Sequence, residues 1–332
     1  IPLIGDYFCV STSPKKGALC ENFSSFVLWV PILSFTQVLR TAHDGRFDDA
    51  IYAARQYLKD SLQASLIPGA SITVSVEGDV VWSEGFGFAD LEQRVPATPE
   101  TKFRVGSVSK PMTAAGLGLL WEEGKINLDT LIQAYVPGFP EKRYPVTLRQ
   151  LAGHIAGIRH YRGEEMMLAR RFQTVEEGLS IFKDDTLLFQ PGTKYSYSSY
   201  AWNLISAAIE GASHEDFLSL MSRRVFQPLG MMNTVADHTD SLVSDRARWY
   251  TRDSQRRIIN APYVDNSYKW AGGGFLSTTE DLVKFGNAML SAKILKPATV
   301  TMMFASQKLA NGRETEYGIG WTVRTDRNKR HL

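Results

Sequence analysis

A turn, a serine, a lysine and an apolar helix follow one another between residues 104 and 124. This succession constrains the fold more than any other segment. Ser107 and Lys110 lie three residues apart, so a helix that begins here brings both side chains to one face. Pro111 suits the first turn of that helix, and Gly124 suits its end. The segment therefore predicts a strongly apolar helix that presents a serine and a lysine at its start.

The Ser-x-x-Lys pattern alone does not identify a site, because it occurs three times, at Ser13–Lys16, Ser107–Lys110 and Ser180–Lys183. Ordinary usage of serine and lysine predicts about one or two such matches by chance. Pro14 interrupts the first copy, which indicates a loop. The third copy lies inside a helical pattern, where Ser180 is one more side chain along a helix. Only the second copy stands where a helix begins.

The chemistry of this second copy is that of an activated nucleophile. A serine hydroxyl is a poor nucleophile until a neighbouring group takes its proton, and a lysine that is partly desolvated can do so. Ser107 at the helix N-terminus also has backbone N–H groups and a helix dipole directed at it. These groups favour a developing oxyanion.

Composition excludes several other classes of function. The chain has 332 residues, of which 44% are hydrophobic and 22% charged, with a net charge of +2. These values are ordinary for a soluble globular protein and indicate neither a nucleic-acid partner nor a strongly acidic one. Cys9 and Cys20 are the two cysteines, and whether they pair stays open. Because the histidines and cysteines lack metal-ligand spacing, we expect no metal and no cofactor.

The N-terminal residues differ from the rest, and we predict that residues 1–42 form an extension. Its longest apolar run, Phe26–Phe35, has about half the length that a bilayer span needs. With Lys15 and Lys16 upstream, the run fits the apolar core of an export signal, and it fits a short buried segment equally well. No segment predicts a membrane span.

Periodicity predicts helices and strands in the remaining chain. Apolar residues from Phe47 to Leu62 repeat at helical spacing, and Ala70–Val76 alternates before a turn and a return strand at Val80. The late segment Tyr317–Val323 also predicts a strand. Further helices are predicted at four places: after a capping box at Thr147–Gln150, over Trp202–Ile209, over Phe217–Phe226, and from a cap at Thr278 to Leu290.

This order of elements predicts an α+β fold, in which an antiparallel sheet is flanked by helices and joined by a helical subdomain. We expect one hydrolase-type domain over residues 43–332. Its sheet part would comprise residues 43–105 and 291–332, and its helical part residues 106–290.

Four further segments give the chain a family resemblance beside the one at Phe103–Lys110. They are Leu151–Tyr161, Pro191–Ser199, Pro262–Ser277 and Asp281–Leu290. With these segments the chain resembles the serine β-lactamase-like family, which includes class C β-lactamases, penicillin-binding proteins and family VIII esterases. The long late segments resemble most a subgroup of animal mitochondrial proteins and their bacterial relatives. The resemblance extends over roughly residues 45 to 332.

The resemblance implies that Tyr197 is a catalytic residue beside Ser107 and Lys110. A phenol is a poor base near neutral pH, but a neighbouring ammonium favours its anion. Lys110 and Lys194 are the candidate neighbours, and the family pattern favours Lys110. Either Tyr197 or neutral Lys110 would take the proton of Ser107, and the sequence leaves both alternatives open. The histidines His154 and His160 are expected to be structural.

Substrate binding is expected from Ser199, Gly273 and Gly274.

Two features depart from the family pattern. Ser199 stands where class C enzymes have asparagine, and a hydroxyl lacks the fixed donor and acceptor of an amide. The family's third motif, a Lys- or His-Thr-Gly strand with an oxyanion-hole N–H, would follow after Leu332. We therefore expect a chain that is truncated at its C-terminus and lacks this strand.

Three hypotheses on function follow. The first is a serine hydrolase that forms an acyl-enzyme on amide or ester bonds, with a peptide as the expected substrate. The second is a β-lactamase-like protein with little or no activity that serves as a binding module, homo-oligomer or filament. The third is a β-lactamase. The resemblance implies a mitochondrial location if the source is an animal and an exported or periplasmic one if it is bacterial.

Overall fold

The computed structural model describes residues 39–41 and 45–324. All of them belong to one compact unit. The predicted export segment, both cysteines and the first Ser-x-x-Lys copy lie outside the described residues. No helix in the described part of the chain is long and apolar enough to cross a bilayer.

Nine strands form two small sheets and a hairpin in the described chain. The first sheet has the order β1-β3-β2, with β4 also paired to β3; the second has the order β5-β9-β6, and β7 pairs with β8. All these pairings are antiparallel. The strands are β1 (Leu39–Thr41), β2 (Gly69–Val76), β3 (Asp79–Asp90), β4 (Val95–Pro96), β5 (Phe103–Arg104), β6 (Val235–Ala236), β7 (Tyr250–Arg252), β8 (Ile258–Asn260) and β9 (Phe275–Ser277).

Helices account for more of the described chain than strands do. The α-helices are α1 (Asp48–Ala64), α2 (Ser109–Glu122), α3 (Leu148–Ala152), α4 (Val175–Leu179), α5 (Ser199–Ser213), α6 (Phe217–Met221), α7 (Trp270–Gly273), α8 (Thr279–Leu290) and α9 (Pro297–Phe304). Single 3₁₀ segments occur at Gly106–Val108, Ile132–Ala134, Gly163–Met167, Gln227–Leu229 and Ser267–Lys269, and a π-helical turn at Ser222–Phe226 continues α6.

Helix α1 covers the first sheet. Its Ile51 packs against Trp82 and Phe86 of β3, and this small core is separate from the main one. Arg55 of α1 also forms an ion pair with Glu84, which is almost fully buried and additionally accepts the indole N–H of Trp82. The predicted first helix and hairpin are thereby confirmed.

The main core lies around α2. Ten of the fourteen residues of this helix are buried, so the helix is enclosed on every side rather than amphipathic. Helices α5 and α7 pack directly against α2, and Leu117 and Leu120 of α2 and Trp202 of α5 are among the fully buried side chains of this core. This enclosure holds the residues at the start of α2 in a fixed position relative to α5 and α7.

Several local predictions are confirmed by the caps. Thr147 and Gln150 form the capping box of α3, and the Thr278 side chain accepts the N–H of Asp281 at the start of α8. The helix predicted over Phe217–Phe226 exists, although its second half has π-type rather than α-type hydrogen bonds.

Two predictions differ from the structure. Leu39–Thr41, which we expected in the N-terminal extension, forms a strand that pairs with β3. The strand predicted over Tyr317–Val323 is a tight turn, because Gly318 donates its N–H to the carbonyl of Trp321 and the chain reverses on itself. The positive φ of 83° at Gly320 permits this reversal. The predicted split into a sheet part and a helical part stays a prediction, although β6, β7, β8 and β9 lie within the predicted helical part.

Candidate active site

The candidate nucleophile stands on a short turn ahead of α2. Gly106–Val108 form a 3₁₀ segment, and Gly106 has a φ of +51°, a conformation that favours glycine. The turn is anchored because Val105 donates its N–H to the carbonyl of Phe275 in β9, at 3.1 Å. Ser107 is exposed on this turn, so its hydroxyl is accessible from solvent while its backbone is held by the second sheet.

Lys110 lies one helical turn further on and is buried, with only 1% of its surface exposed. Its Nζ is 3.0 Å from Ser107 Oγ, 3.2 Å from Ser199 Oγ and 2.5 Å from the carbonyl oxygen of Gly272. A lysine ammonium has three N–H donors, so these three oxygens satisfy it fully. The neutral amine can donate to Gly272 and Ser199 and accept the proton of Ser107 at the same distances.

The protonation of Lys110 is balanced near neutral pH. Burial lowers the pKa of its amine to about 7, and Lys110 forms no ion pair with any other described residue. Water that would stabilise the ammonium is replaced by one carbonyl and two hydroxyls. A substantial fraction of the molecules therefore carries a neutral amine beside Ser107 at pH 7.

The phenol of Tyr197 contacts the same serine. Tyr197 donates its O–H to Ser107 Oγ at 2.8 Å, and its ring centroid lies 4.9 Å from Lys110 Nζ. Burial raises the pKa of Tyr197, and the hydroxyls of Ser107 and Ser199 offset only part of the rise. The expected stabilisation of the phenolate by a neighbouring ammonium is thus corrected, because burial has the largest effect on the Tyr197 pKa and raises it. Lys194, the other candidate neighbour, is exposed.

His154 holds the residues on either side of Tyr197. Its carbonyl accepts the N–H of Ser196 at 2.9 Å, and its Nδ1 accepts the N–H of Ser198 at 3.1 Å. The imidazole also packs on the phenol ring, with centroids 4.3 Å apart. Burial, with the charge of Lys110, lowers the pKa of His154 well below its usual value, so the ring stays neutral and Nδ1 remains an acceptor.

Two neighbouring contacts tie the same loop to α5. The Ser198 hydroxyl donates to the carbonyl of Arg159 at 2.7 Å and caps α5 by accepting the N–H of Ala201. His160 accepts the N–H of Ser199 through its Nδ1, at 3.1 Å. Both histidines therefore act as acceptors for backbone N–H groups, which is the structural role expected of them.

The predicted substrate-binding residues lie around the nucleophile turn, but each has different contacts. Ser199 is buried, with its hydroxyl beside the Lys110 amine. Gly273 lies alongside Gly106, where an added Cβ would be 3.5 Å from the Gly106 carbonyl carbon. Gly274 is buried, donates its N–H to Trp270 and accepts that of Asp237. Substrate contact by these three residues stays a prediction.

Gly272 is the site residue that the sequence did not single out. Its carbonyl accepts the shortest of the Lys110 hydrogen bonds, and an added Cβ would lie 3.1 Å from the carbonyl oxygen of Ser199. Close approach between α7 and α5 therefore favours a small residue here. Three consecutive glycines were the only signal, and nothing in the sequence distinguishes the first from its neighbours.

The third Ser-x-x-Lys copy does not form a comparable site. Ser180 follows the last residue of α4, is exposed, and donates its hydroxyl to the carbonyl of Glu177 at 2.6 Å. Within residues 39–41 and 45–324, no group of three or more His, Cys, Asp or Glu side chains is placed to hold a metal ion. The expectation that the protein needs no metal or cofactor stays a prediction.

An exposed serine beside a buried lysine and a tyrosine, in an α+β fold of this kind, is typical of β-lactamase and transpeptidase-like serine hydrolases. The chain belongs to the Beta-lactamase family, whose model matches residues 54–331. This confirms the family resemblance and the predicted fold class.

Similar proteins include enzymes and assemblies. The chain is 35% identical to the mitochondrial serine beta-lactamase-like protein LACTB of Homo sapiens, over 83% of this chain and 66% of that protein. It is 30% identical to the D-aminopeptidase of Brucella anthropi, over 76% of this chain and 48% of that enzyme. The octameric penicillin-binding protein homologue from Pyrococcus abyssi superposes with a TM-score of 0.71 at 25% identity, over 82% of this chain and 65% of that one. The chain thus spans about two thirds or less of these relatives.

We predict that His154 positions Tyr197 through its Nδ1. In His154→Asn the amide oxygen can still accept the N–H of Ser198, so the rate of Ser107 acylation should stay near that of the parent protein. In His154→Leu no acceptor remains, and a misplaced phenol should lower the rate by roughly a hundredfold. The measurement is the rate of covalent labelling by a fluorophosphonate, with folding checked by circular dichroism. Equal rates in two folded variants would show that the hydrogen bond is dispensable.

Proposed function

We propose that this protein is a serine hydrolase that forms an acyl-enzyme through Ser107 on amide or ester bonds. The observation that carries the proposal is the position of Ser107 Oγ between two groups. Lys110 Nζ lies 3.0 Å away and the Tyr197 hydroxyl 2.8 Å away. The Lys110 amine has a pKa near 7, and the pKa of the Tyr197 phenol is raised above its usual value. They differ enough to serve as base and acid.

In the first step neutral Lys110 is the base. Its lone pair takes the Ser107 proton while Oγ forms a bond to the substrate carbonyl carbon, and the carbonyl electrons move onto oxygen. The resulting ammonium is stabilised at once, because the Gly272 carbonyl and the Ser199 hydroxyl already accept its N–H groups. The site therefore needs little rearrangement as the charge develops on Lys110.

In the second step the tetrahedral intermediate collapses and the bond to the leaving group breaks. Tyr197 is suited to donate a proton to the departing nitrogen or oxygen, because its raised pKa keeps the phenol protonated. The Lys110 ammonium restores that proton to Tyr197 through the Ser199 hydroxyl, which hydrogen-bonds to both the amine and the phenol. A water molecule then attacks the acyl-enzyme with Lys110 again as base, which releases the acid and regenerates Ser107.

Amides and esters, with peptides foremost, are the proposed substrates. The D-aminopeptidase relative supports an amide substrate. Hydrolysis of β-lactams ranks below these, because Ser199 is buried beside the Lys110 amine and is not an exposed amide. A chromogenic cephalosporin that acylates Ser107 without turnover would exclude a β-lactamase.

Covalent labelling tests the nucleophile. A fluorophosphonate should add one phosphonyl group to the full-length protein, and intact mass should show no addition in Ser107→Ala. The matched control is Ser180→Ala, which removes the serine of the exposed Ser-x-x-Lys copy and should label like the parent protein. Undiminished labelling in folded Ser107→Ala would contradict the assignment.

The pH dependence of labelling tests the base. Because the pKa of Lys110 is lowered to about 7, the amine loses its proton as the pH rises through that value. The acylation rate should therefore rise through pH 7 and level off above it. Lys110→Met should lose both the inflection and most of the rate, whereas Lys194→Met, at an exposed lysine, should keep both. A rate that keeps rising towards pH 10 would instead indicate the phenol as base.

Self-assembly is a second proposed property, and it is compatible with hydrolysis. The octameric homologue supports it, as do Tyr52 and Tyr57 of α1, which are 63% and 72% exposed. Light scattering on the full-length protein should detect oligomers at high concentration, and only monomers throughout would exclude the assembly.

A mitochondrial location is proposed from the name of the human relative, and an exported location remains the alternative.

A further inference from the structure

Two carbonyls at the end of α7 are held by side chains of α2. A helix leaves its last four carbonyls without partners in its own backbone, and α7 has only four residues. The carbonyl of Gly272 accepts an N–H of Lys110 at 2.5 Å. The carbonyl of Ala271, one residue earlier, accepts the hydroxyl of Thr113 at 3.1 Å. Helix α2 therefore supplies donors that α7 lacks.

Thr113 projects from the same face of α2 as Lys110, because the two residues are three apart in the helix. Its side chain is fully buried. A threonine inside a helix often donates its hydroxyl to a carbonyl of the preceding turn, but Thr113 donates to a different helix. Since a hydroxyl has a single proton to donate, that proton is fully used by the contact with α7.

The backbone of α7 needs such a contact, because Gly272 is followed by two further glycines. Glycine permits a wider range of backbone dihedral angles than other residues, so the chain itself does little to fix the direction of the Gly272 carbonyl. Two peptide groups meet at Gly272. The first carries the carbonyl of Ala271, which Thr113 holds, and the second carries the carbonyl that meets Lys110. Fixing the first group limits the directions in which the second can point.

The direction of the Gly272 carbonyl matters for the charge on Lys110. The titratable side chains around the amine are two phenols and two imidazoles, those of Tyr161, Tyr197, His154 and His160. Burial raises the pKa of both phenols and lowers that of both imidazoles, so all four are uncharged near neutral pH. No described carboxylate pairs with Lys110. Neutral oxygen acceptors therefore stabilise the ammonium, and Gly272 supplies the nearest one.

We infer that Thr113 is a positioning residue of the active site, whose hydroxyl holds the end of α7 so that the Gly272 carbonyl meets the Lys110 amine. Thr113 acts through the peptide groups of α7 and not by contact with Ser107. Because the Gly272 carbonyl favours the ammonium, Thr113 helps to set the pH at which Lys110 gives up its proton. The inference rests on the proposed function, in which Lys110 is the base.

The test compares Thr113→Val with Thr113→Ser. Valine replaces the hydroxyl by a methyl group, whereas serine keeps the hydroxyl and removes the methyl group. In Thr113→Val the Gly272 carbonyl loses its alignment, so the Lys110 ammonium loses part of its stabilisation and the charged form becomes less favourable. The midpoint of the Lys110 titration should fall by about one pH unit in Thr113→Val and stay near that of the parent protein in Thr113→Ser.

The midpoint is measured by NMR on full-length protein labelled with ¹³C at the lysine ε-carbons. The pH inflection of fluorophosphonate labelling should move in the same direction. The matched control is Thr299→Val, which removes the hydroxyl of another buried threonine. Thr299 donates to Glu122, the last residue of α2, at the end of the helix opposite Lys110. This control should leave the midpoint and the inflection unchanged even where it lowers stability.

If Thr113→Val fails to fold, Thr113→Ala takes its place, because alanine also lacks the hydroxyl and is smaller. An unchanged or raised midpoint in the folded variant would overturn the inference. A shift in Thr113→Ser as large as that in Thr113→Val would overturn it as well. The midpoint does not depend on turnover. A lowered midpoint in Thr113→Val of a protein that is never acylated would therefore support this inference and contradict the proposed function alone.

Discussion

The buried amine of Lys110 is the interaction on which the rest of the site depends. A lysine in this position loses its hydration, and the chain replaces it with one carbonyl and two hydroxyls rather than with a carboxylate. A carboxylate partner would hold the amine protonated, because an opposite charge favours the charged form. Neutral hydrogen-bonding partners satisfy the ammonium and still let it give up its proton near pH 7.

The fold serves this arrangement by bringing three separate segments to one amine. Helix α2 carries Lys110, α7 supplies the carbonyl of Gly272, and α5 supplies the hydroxyl of Ser199. Because α2 is enclosed on every side, only 1% of the lysine surface is exposed and its amine is held out of bulk solvent. The loop before α5 adds Tyr197, and His154 fixes that loop from both sides.

The position of Ser107 and Lys110 could be predicted from the sequence, because the turn, the serine, the lysine and the apolar helix are contiguous. The helix caps at Thr147 and Thr278 could also be predicted, because a cap depends on residues within one helical turn. The family resemblance supplied Tyr197. The carbonyl of Gly272 and the Nδ1 of His154 could not be predicted, because each acts through a contact between segments distant in sequence. The pKa of Tyr197 was predicted in the wrong direction, since a pattern of residues does not reveal burial. Tyr317–Val323 failed as a strand because its glycines allow it to turn back on itself.

Direct titration of the Lys110 amine tests the central claim. Full-length protein labelled with ¹³C at the lysine ε-carbons would be followed by NMR against pH, with Lys110 assigned from Lys110→Arg and Lys269, another buried lysine, from Lys269→Arg. We expect a midpoint near pH 7 for Lys110, set by burial, and about 8 for Lys269. A Lys110 midpoint near the ordinary lysine value of about 10.4 would contradict it, because the amine would then be protonated whenever Ser107 must lose its proton.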